Sequence, residues 1–565
     1  MPALARTVLR TALSKVLHLH RERPLQHCRR FGALTSKPYA FRARPWELKS
    51  TESIDVFDGV GSNIRIDAVG TEVRRILPRL NEEVNEEWIS DKTRFAYDGL
   101  KRQRLTVPMV RIHTGEANEQ LVGVDWYKAR AILVNKLVSA IREAATPATT
   151  QRSAFEAHAI IGPYADCESI AALRRIFYSM FPEGTAFVHV QGHANTGTPP
   201  TDFRYAYCAN TTLAGLEHAD VILLVATNPR VEAPLLNNRI RKAVLFGNAR
   251  VGLIGCHADL TYNREHLWHL GTSPATLLRI AQGRHAFCSV LAKAQRPAII
   301  VSQQAFQRHD GAAIFGCLAT LVDHVPRLVP RDGSWNGLNV LHTAANTVGA
   351  LDLGFDHTLK GNRWIDQSGA QQTSEQPWAR AKLLYLLGAD DIDGLEELPE
   401  TCYVVYQGHH GDYGASIADL ILPGAAYTEK NGTFVNTEGR VQRTARAFLP
   451  PGQAKVDAEI LDELLVGLDH AAGFFDAAQE MEFLAPHLGV QYGLQEPDLI
   501  RTPNTGQVQL GGAKAERARS LPLSPMPFGP VIENFYMTDP ITRASATMAK
   551  CVRVARYSNF EESSS

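Results

Sequence analysis

Short uninterrupted apolar runs alternate with helix-like segments over most of the chain, from about Val122 onward. Apolar runs bounded by Gly, Pro or Asn are typical of strands that are buried on both faces of a sheet. A helix is predicted over Trp126–Ala144, before the first of these runs. The predicted strands are Ala186–Val190, Val221–Ala226, Val251–Ile254, Ala298–Val301, Leu383–Leu387, Tyr403–Tyr406 and Leu420–Leu422. Strands that alternate with helices indicate an α/β fold, with parallel sheets flanked by helices.

The region before this pattern, about residues 32–112, has a different character. It is polar and acid-rich, and its apolar residues come in short alternating runs. Strands are predicted at Ile54–Phe57, Asn63–Ile66 and Glu72–Ile76, which indicates a small β-rich module. The last hundred residues are less periodic and contain the Pro-rich, loop-like stretch Leu521–Pro530.

The chain's overall composition is that of a folded protein. Of its 565 residues 45% are hydrophobic and 21% are charged, which excludes a largely disordered or collagen-like chain. At roughly 100–200 residues per domain, the length predicts three or four folding units. No apolar run approaches the roughly 18–20 residues of a membrane span. Lys+Arg and Asp+Glu are equal in number at 59, which argues against a dedicated nucleic-acid binder.

The balanced charge conceals an asymmetric N-terminus. Residues 1–31 contain seven basic residues and one acid, a net charge of +6, which leaves −6 on residues 32–565. Apolar residues such as Leu4, Val8 and Leu13 recur three to five positions apart, so one helical face is apolar while Arg6 and Arg10 mark a basic face. An Arg-rich, acid-poor, amphipathic segment is typical of a mitochondrial transit peptide. The alternative is a basic helix that stays on the mature protein.

The cysteines and the absent motifs narrow the chemistry. The eight cysteines are scattered, and none forms a C-x-x-C pair, which disfavours zinc knuckles and cysteine-ligated clusters. The sequence has no P-loop, no G-x-S-x-G, no H-E-x-x-H and no kinase signature. Gly59-Val-Gly61 begins like a dinucleotide fingerprint, but Ile64 takes the place of the third glycine and the string lies in the β-rich module.

Three polar stretches are candidate ligand loops. Thr227–Arg230 follows a predicted strand and precedes a helix-like stretch, Val231–Arg241, so it would lie where α/β folds bind ligands. Gln407–Gly414 contains two histidines and a carboxylate, yet adjacent side chains diverge, so a packed loop is favoured over a metal site. Glu429–Arg440 is punctuated by glycines and suits either a polar ligand or a solvated hairpin. For Thr227–Arg230 the alternative is a capped surface loop.

These loops, together with other strings, resemble the large iron–sulfur (75-kDa-type) subunit of mitochondrial respiratory complex I. The resemblance covers roughly Gly32 to Val554. The strings that carry it are residues 32–41, 44–47, 52–56, 61–64, 89–105, 227–230, 232–235, 408–412, 436–442, 533–541 and 548–551.

The resemblance implies that only the C-terminal part of that subunit is present. In the family, a ferredoxin-like cluster domain ends in a C-P-V-G segment directly before the A-L-T-S-K-P stretch. Arg29–Gly32 corresponds to that segment here, so Arg29 takes the ligand position, and Cys28, one place off, is given no ligand role. We therefore expect the chain to lack the cluster domain, and we expect a separately encoded ferredoxin-like protein as its partner.

The family's core is similar to molybdopterin oxidoreductases, which implies that fold here. Those enzymes hold a cluster with C-x-x-C-x-x-x-C in their first module, and the equivalent positions are Ser53, Val56 and Val60. Cys208 is the nearest cysteine to the expected molybdenum ligand position, and it precedes ordinary buried sequence. We therefore expect no catalytic, cofactor-binding or metal-binding residues and no cofactor in this chain. A shared fold does not by itself imply a shared function.

The resemblance also implies a domain division. We expect a transit peptide over 1–31, a small module of the 4Fe-4S Mo/W bis-MGD type with its cluster lost over 32–115, an α/β core over 116–450, and a C-terminal extension over 451–565.

The function implied is that of a core subunit in the NADH-oxidising peripheral arm of complex I. The chain would be an enzyme only as part of NADH:ubiquinone oxidoreductase, on the matrix side of the mitochondrial inner membrane. It would hold its cluster-bearing partner through Ala33–Phe41 and Arg44–Glu47 and bind no nucleic acid. Two alternatives remain: an active molybdopterin or tungstopterin oxidoreductase, and a degenerate pterin fold that binds a nucleotide near Thr227–Arg230.

Overall fold

Two parallel sheets and a small antiparallel module make up the fold of the chain, which we describe from a computed structural model. The structure describes residues 36, 38–113, 119–145, 155–182, 185–191, 204–353, 381–390, 392, 394–472 and 518–563. The transit-peptide prediction for residues 1–31 lies outside them. Among these ranges, no helix is both long enough and apolar enough to cross a lipid bilayer.

The N-terminal module is a three-stranded antiparallel sheet in the order β1-β2-β3. Its strands are β1 (Lys49–Ile54), β2 (Asn63–Val69) and β3 (Glu72–Pro78). Their apolar residues, such as Ile64 and Ile66, are fully buried in a cluster that also contains residues of the C-terminal segment, among them Ile541. The alternation of apolar and polar residues therefore places one face of this sheet in a core.

The larger sheet has seven strands in the order β5-β4-β15-β14-β13-β6-β7. Strands β15, β14, β13, β6 and β7 run parallel, and the hairpin β4–β5 adds an antiparallel edge. The bounds are β4 (Met109–His113), β5 (Glu119–Gly123), β6 (Glu156–Ile161), β7 (Ala186–Val190), β13 (Ala381–Leu387), β14 (Tyr403–Gly408) and β15 (Leu420–Pro423). The central strands are buried and mostly apolar, as strands covered on both faces are, although β6 also contains Glu156 and His158.

The second sheet has five parallel strands in the order β10-β9-β8-β11-β12. The strand order reverses between β8 and β11, which makes this pair the topological switch point of the sheet. The bounds are β8 (Val221–Val225), β9 (Arg250–Ile254), β10 (Leu267–Gly271), β11 (Pro297–Ser302) and β12 (Leu338–Leu341). A short hairpin completes the strands, with β16 (Thr433–Val435) paired to β17 (Val441–Arg443).

The α-helices cover the faces of these sheets and form the C-terminal end. They are α1 (Asp91–Phe95), α2 (Trp126–Ala145), α3 (Cys167–Met180), α4 (Pro229–Glu232), α5 (Pro234–Gly247), α6 (Pro274–Ala281), α7 (Cys288–Lys293), α8 (Gln304–Gln307), α9 (Gly311–His324), α10 (Thr347–Asp352), α11 (Tyr413–Ile417), α12 (Asp457–Ala472), α13 (Pro540–Ala544) and α14 (Ala546–Ser563). Short 3-10 helices lie at Pro45–Glu47, Ala96–Lys101, Arg204–Ala206, Gly215–His218 and Leu395–Glu397.

The predicted α/β class with a preceding β-rich module is confirmed. The predicted strand at Ile54–Phe57 is wrong, because β1 ends at Ile54. The next residues form a loop in which the Asp55 side chain accepts a hydrogen bond from Phe57 N. The helix-like stretch Val231–Arg241 is two helices, α4 and α5, since Pro234 lacks an amide hydrogen and begins the second. Strand β6 was missed although its burial is complete.

The C-terminal segment from residue 518 onward connects two units of the fold. Near its start, the backbone of Ala518 approaches Gly316 of α9 so closely that a Cβ on that glycine would lie 2.6 Å from it. At its end, Ser545 and Thr547 both bond the carboxylate of Asp98 in the N-terminal module. The Pro-rich stretch is therefore an ordered connection between the five-stranded sheet and the module.

Candidate functional site

The Gln407–Gly414 loop and the start of the Glu429–Arg440 stretch meet at the carboxyl edge of the seven-stranded sheet. Arg104 joins them: its Nε donates to the His409 carbonyl at 3.0 Å, and its two terminal nitrogens donate to the Glu429 carboxylate at 2.5 and 2.6 Å. Both side chains are buried. A buried, two-pronged arginine–carboxylate pair fixes the geometry of both loops.

A buried lysine lies beside this pair. The Lys430 ammonium contacts the carboxylates of Asp166 at 2.6 Å and Asp457 at 2.8 Å. Burial opposes its charge, but the two carboxylates outweigh that effect and raise the pKa of Lys430. Asp166 also caps α3 by accepting from Ser169 N. Lys430 therefore fastens the hairpin stretch to the first turns of α3 and α12.

The two histidines of the Gln407–Gly414 loop bond to each other and to backbone. His409 Nδ1 and His410 Nδ1 are 2.6 Å apart, and His410 Nε2 lies 3.0 Å from the Gly99 carbonyl. Burial lowers the pKa of His410 to about 4, and burial with the neighbouring ring lowers the pKa of His409 well below its usual range. Asp412 points elsewhere, capping α11 and pairing with Arg543. Both rings are neutral at physiological pH.

Thr227–Arg230 lies at the carboxyl edge of the other sheet and surrounds a buried carboxylate. Glu232 accepts from the Thr227 hydroxyl and the Asn228 amide, both at 2.6 Å, and from the Ser302 hydroxyl at 2.8 Å. Burial without a cation raises the pKa of Glu232 to about 7. Arg230 turns outward to Asp259 in an exposed ion pair. The loop is thus held in place by Glu232.

A buried histidine extends this cluster toward the hairpin. His342 follows β12; its Nδ1 lies 2.6 Å from Gln303 Oε1, its Nε2 contacts the Tyr207 carbonyl, and its amide donates to the Thr437 hydroxyl. Burial lowers the pKa of His342 to about 4. A neutral imidazole has one N–H, and only a donor on Nε2 can bond the Tyr207 carbonyl. Nδ1 is then an acceptor, so its contact with Gln303 is a hydrogen bond only when the Gln303 side-chain amide turns its NH₂ group toward Nδ1.

Gly59 and Gly61 bring the N-terminal module against this cluster. A Cβ on Gly59 would lie 2.2 Å from the His342 carbonyl oxygen, and the Gly59 carbonyl accepts from Thr437 N at 2.8 Å. Gly61 has φ +69°, a left-handed conformation that favours glycine. The string that began like a dinucleotide fingerprint therefore provides a close backbone contact in a loop between β1 and β2.

The Glu429–Arg440 stretch links the two edges, since Lys430 belongs to one cluster and Thr437 contacts the other. The polar groups of both clusters bond chiefly to one another, which suits holding loops in place better than acting on a substrate. Sequence reasoning missed Asp166, Asp457 and His342. Asp166 is the N-terminal capping residue of α3 and Asp457 is the acidic first residue of α12, so a search for helix starts would have found both.

The prediction that no residue of the chain is catalytic or binds a metal or cofactor is not tested by this geometry. Among the residues that the structure describes, no group of three or more His, Cys, Asp or Glu side chains could hold a metal ion.

Three family profiles match the chain. Residues 104–466 match molybdopterin oxidoreductase. Residues 48–98 match the NADH-ubiquinone oxidoreductase NDSU1/NuoG-like 4Fe-4S domain, and residues 500–551 match the C-terminal domain of the NuoG-type polypeptide of NADH-ubiquinone oxidoreductase. The first match includes the two parallel sheets at whose edges the polar clusters lie, and the second match includes the N-terminal module.

The second match corrects a prediction. We expected no cofactor in this chain and expected its N-terminal cluster-bearing part to be lacking, but residues 48–98 match an iron–sulfur domain, so these expectations are wrong. A relative from potato is also named an iron–sulfur protein. The error came from counting cysteines, whereas a domain is recognised by its whole pattern of residues.

The residues present in that module do not by themselves identify ligands for a cluster. Residues 48–98 contain no cysteine. Ser53, Val56 and Val60 are buried, and Ser53 Oγ accepts from Ala445 N. Asp55 is also buried, and burial together with the neighbouring Asp58 raises its pKa to about 7. The donor set does not fit a thiolate-ligated cluster at these positions.

The relatives agree with the profiles. The chain is 42% identical over 541 residues to the NADH-ubiquinone oxidoreductase 75 kDa subunit of Reclinomonas americana, covering 92% of this chain and 70% of the relative. It is 44% identical to NADH dehydrogenase [ubiquinone] iron-sulfur protein 1, mitochondrial, of Solanum tuberosum, covering 92% and 63%. For the 78 kDa mitochondrial subunit of Neurospora crassa the identity is 42%, with coverage of 92% and 64%. The chain therefore spans about two thirds of the length of these relatives. It belongs to the family of the 75 kDa subunit of NADH-ubiquinone oxidoreductase, and its core belongs to the molybdopterin oxidoreductase family.

Proposed function

We propose that this chain is a core subunit of mitochondrial NADH:ubiquinone oxidoreductase, in the peripheral arm on the matrix side of the inner membrane. The observation that carries the proposal is identity of 42–44% to such subunits over 92% of the chain. The chain's role is to hold other subunits of the complex in place. The division into residues 1–31, 32–115, 116–450 and 451–565 remains part of this proposal.

The two polar clusters support a scaffolding role. Their buried charges are bonded across the sheets, the hairpin and the N-terminal module, so they connect units that are far apart in sequence. Networks of this kind rigidify a structure when every member is satisfied. A subunit that positions redox partners needs such rigidity, since small displacements of reacting groups are costly.

The segment Arg44–Glu47 and the residues before it present a surface for such a partner. Phe41 is fully exposed and Trp46 is 80% exposed. The segment is held in place by Tyr39, whose ring lies 4.5 Å from the guanidinium carbon of Arg75. Exposed aromatic residues with arginines nearby are the composition of interface hot spots. Residues 33–35 and 37 of the predicted interface lie outside the part of the chain that the structure describes.

The sequence also predicted the identity of the partner that binds this surface. A separate ferredoxin-like iron–sulfur protein has no support from the comparisons, and it stays a prediction. Other subunits of the complex are the partners that we propose.

Native electrophoresis of solubilised mitochondrial membranes tests the proposal. We expect this chain in a band with NADH dehydrogenase activity, and we expect Trp46→Ala to reduce its amount there while Phe246→Ala, which removes an equally exposed aromatic residue on α5, does not. Migration as a free chain would contradict the assignment. Equal incorporation of both variants would contradict only the proposed interface.

Metal analysis separates this function from the alternative enzyme. Stoichiometric molybdenum or tungsten in the purified chain would favour an active molybdopterin or tungstopterin oxidoreductase instead. Mass spectrometry of small molecules released on denaturation tests the third hypothesis, a bound nucleotide near Thr227–Arg230, and a released nucleotide in equal amount to the chain would establish it.

A further inference from the structure

Leu80 and Trp88 form an exposed apolar pair on the N-terminal module, in the loop that follows β3. Leu80 is 66% exposed and Trp88 is 55% exposed. One buried amide brings them together, because Asn85 Nδ2 lies 3.1 Å from the Trp88 carbonyl oxygen and 3.1 Å from that of Arg79. The Arg79 carbonyl belongs to the peptide that leads into Leu80. The two apolar residues therefore flank the same point of the loop.

The loop that presents this pair is fixed to the five-stranded sheet. Val84 is 1% exposed and packs in a core cluster with residues of that sheet and of α5. Arg239 of α5 donates to the Glu82 carbonyl at 2.5 Å and to the Glu86 carboxylate at 3.0 Å. Asn81 and Glu86 also form an antiparallel bridge across the loop. A large side chain on a fixed backbone loses little conformational entropy on binding, which suits a protein interface.

The cations around the loop are already compensated by carboxylates. Arg79, at the start of the loop, pairs with Glu52 at 3.1 Å. Arg440 of the hairpin pairs with Glu83. Arg239 pairs with Glu86, as described above. These ion pairs hold the loop in place, and they leave no excess of positive charge beside the apolar pair.

The remaining charge beside the apolar pair is negative. Glu82 and Glu87 are both exposed, and neither takes part in an ion pair within the described part of the chain. A carboxylate next to an indole favours a cationic group over an anionic or a neutral one. Arginine suits both features, since its guanidinium pairs with a carboxylate and stacks on an aromatic ring.

This pair is distinct from the surface around Trp46. Both β1 and β3 run antiparallel to β2, so the start of β1 and the end of β3 lie at opposite ends of the module's sheet. Trp46 precedes β1, whereas Leu80 follows β3. β3 has seven residues, and at about 3.3 Å per residue its two ends are about 20 Å apart. A segment bound at Trp46 therefore leaves Trp88 open.

We propose that Leu80 and Trp88, together with Glu82 and Glu87, form a docking surface for a basic, arginine-containing segment of another subunit of the complex. A subunit of the complex supplies that segment, so the surface rests on the proposed function. The carboxylates attract and orient the segment, and the indole and the leucine provide apolar contact at the centre.

Residue-specific labelling of the isolated full chain and of the assembled complex tests the surface. Hydroxyl radicals oxidise exposed aromatic rings, and carbodiimide with glycine ethyl ester labels exposed carboxylates. In the isolated chain we expect Trp88 to be oxidised at a rate similar to that of Trp46, which is 80% exposed. In the complex we expect labelling of Trp88, Glu82 and Glu87 to fall at least about fivefold, because the centre of an interface excludes water. Phe246 on α5 should keep its labelling.

Charge reversal tests the chemistry of the occupant. Glu82→Lys with Glu87→Lys should restore labelling of Trp88 in the complex or release the chain from it, because like charges repel across an interface. Glu396→Lys with Glu400→Lys is the matched control, since it reverses two other exposed glutamates and should change neither. Glu82→Gln with Glu87→Gln removes the charge without reversing it and should have a smaller effect. Melting temperatures equal to that of the unaltered chain show that the variants are folded.

Four outcomes would overturn the surface. A chain that runs with NADH dehydrogenase activity while Trp88 is labelled as in the isolated chain contradicts this surface alone, whereas a chain that runs free contradicts the proposed function and the surface with it. Trp88 that stays protected after charge reversal shows that the occupant is not basic. Weak labelling of Trp88 relative to Trp46 in the isolated chain means that another part of this chain covers it, or a second copy where the protection increases with concentration.

Discussion

The carboxyl edges of the two sheets bury polar groups in the same topological position but balance them differently. At the seven-stranded sheet, Arg104 and Lys430 compensate the carboxylates of Glu429, Asp166 and Asp457. At the five-stranded sheet, Glu232 is bonded by hydroxyls and an amide, with a neutral histidine nearby. Ion pairs hold the first cluster, beside two neutral histidines, whereas Glu232 in the second is bonded only by neutral groups and burial raises its pKa.

The two edges should therefore respond differently to mutation, whereas pH should affect both, since His409 and His410 at the seven-stranded edge also have lowered pKa values. Removing one ion of a buried network leaves its partners uncompensated and is severe. A buried carboxyl group with a raised pKa and a buried histidine with a lowered pKa instead couple stability to pH, with opposite signs.

Lys430→Met should be the most damaging change, since it leaves Asp166 and Asp457 buried without a cation. We expect a loss of about 3–5 kcal/mol and a drop of roughly 10 °C in the apparent melting temperature. Lys455→Met is the control, because that lysine pairs with Glu463 while 29% exposed and should cost less than about 1 kcal/mol. Equal losses in scanning fluorimetry would show that the two lysines are not in different environments.

Glu232→Gln should remove a loss of folding stability that increases with pH. The folded pKa of about 7 lies above the ordinary value of 4.5, so between these values the unfolded chain releases a proton that the folded chain keeps. Raising the pH through this window therefore destabilises the chain by roughly 3 kcal/mol. Urea denaturation at several pH values should show the variant gaining on the unaltered chain from pH 5 to 8. A pH-independent difference would contradict the raised pKa.

His342→Gln should act in the opposite direction. The folded pKa of about 4 lies below the ordinary 6.5, so the unfolded chain takes up a proton that the folded chain does not, and stability falls as the pH drops through this window. The full effect is roughly 3 kcal/mol. In the same denaturation series the variant should lose less stability than the unaltered chain between pH 7 and 4.5, although its neutral-pH stability is lower. A parallel decline in both chains would refute it.

Arg230→Ala should change almost nothing. Its ion pair with Asp259 is exposed on both sides, and pairs of this kind contribute about 0–1 kcal/mol. We expect a shift in melting temperature of less than about 2 °C, screened further by salt. A large loss would mean that the edge of the five-stranded sheet depends on this surface charge as the other edge depends on Lys430.

Particular residues show how far the sequence could predict the structure. The run Val221–Ala226 predicted β8 to within one residue because an apolar strand buried on both faces has an unambiguous pattern. Thr227–Arg230 was correctly placed at a strand end, but its bonding to Glu232 and Ser302 was not foreseen. Ser302 is 70 residues from Glu232, and no local pattern encodes such a distance.

The iron–sulfur prediction failed for a related reason. The absence of cysteine from this module was read as the loss of its cluster, yet residues 48–98 match the family's 4Fe-4S domain. Ligand counting examines a few positions, whereas the match rests on the whole module, including buried residues such as Ile64 and Ile66. The match to an iron–sulfur domain overturns the expectation of no cofactor, although the module contains no cysteine.

The amino-acid sequence was enough to establish the fold class, the strands of the two parallel sheets that are apolar runs, and the family, since these depend on local patterns and on strings of residues. It took the folded chain to show that Lys430 meets Asp166 and Asp457, that Gly59 presses against His342, and that Phe528 N bonds the Thr272 carbonyl just after β10. These contacts join residues from 27 to 283 positions apart, and burial, which gives them their energy, exists only once the chain has folded.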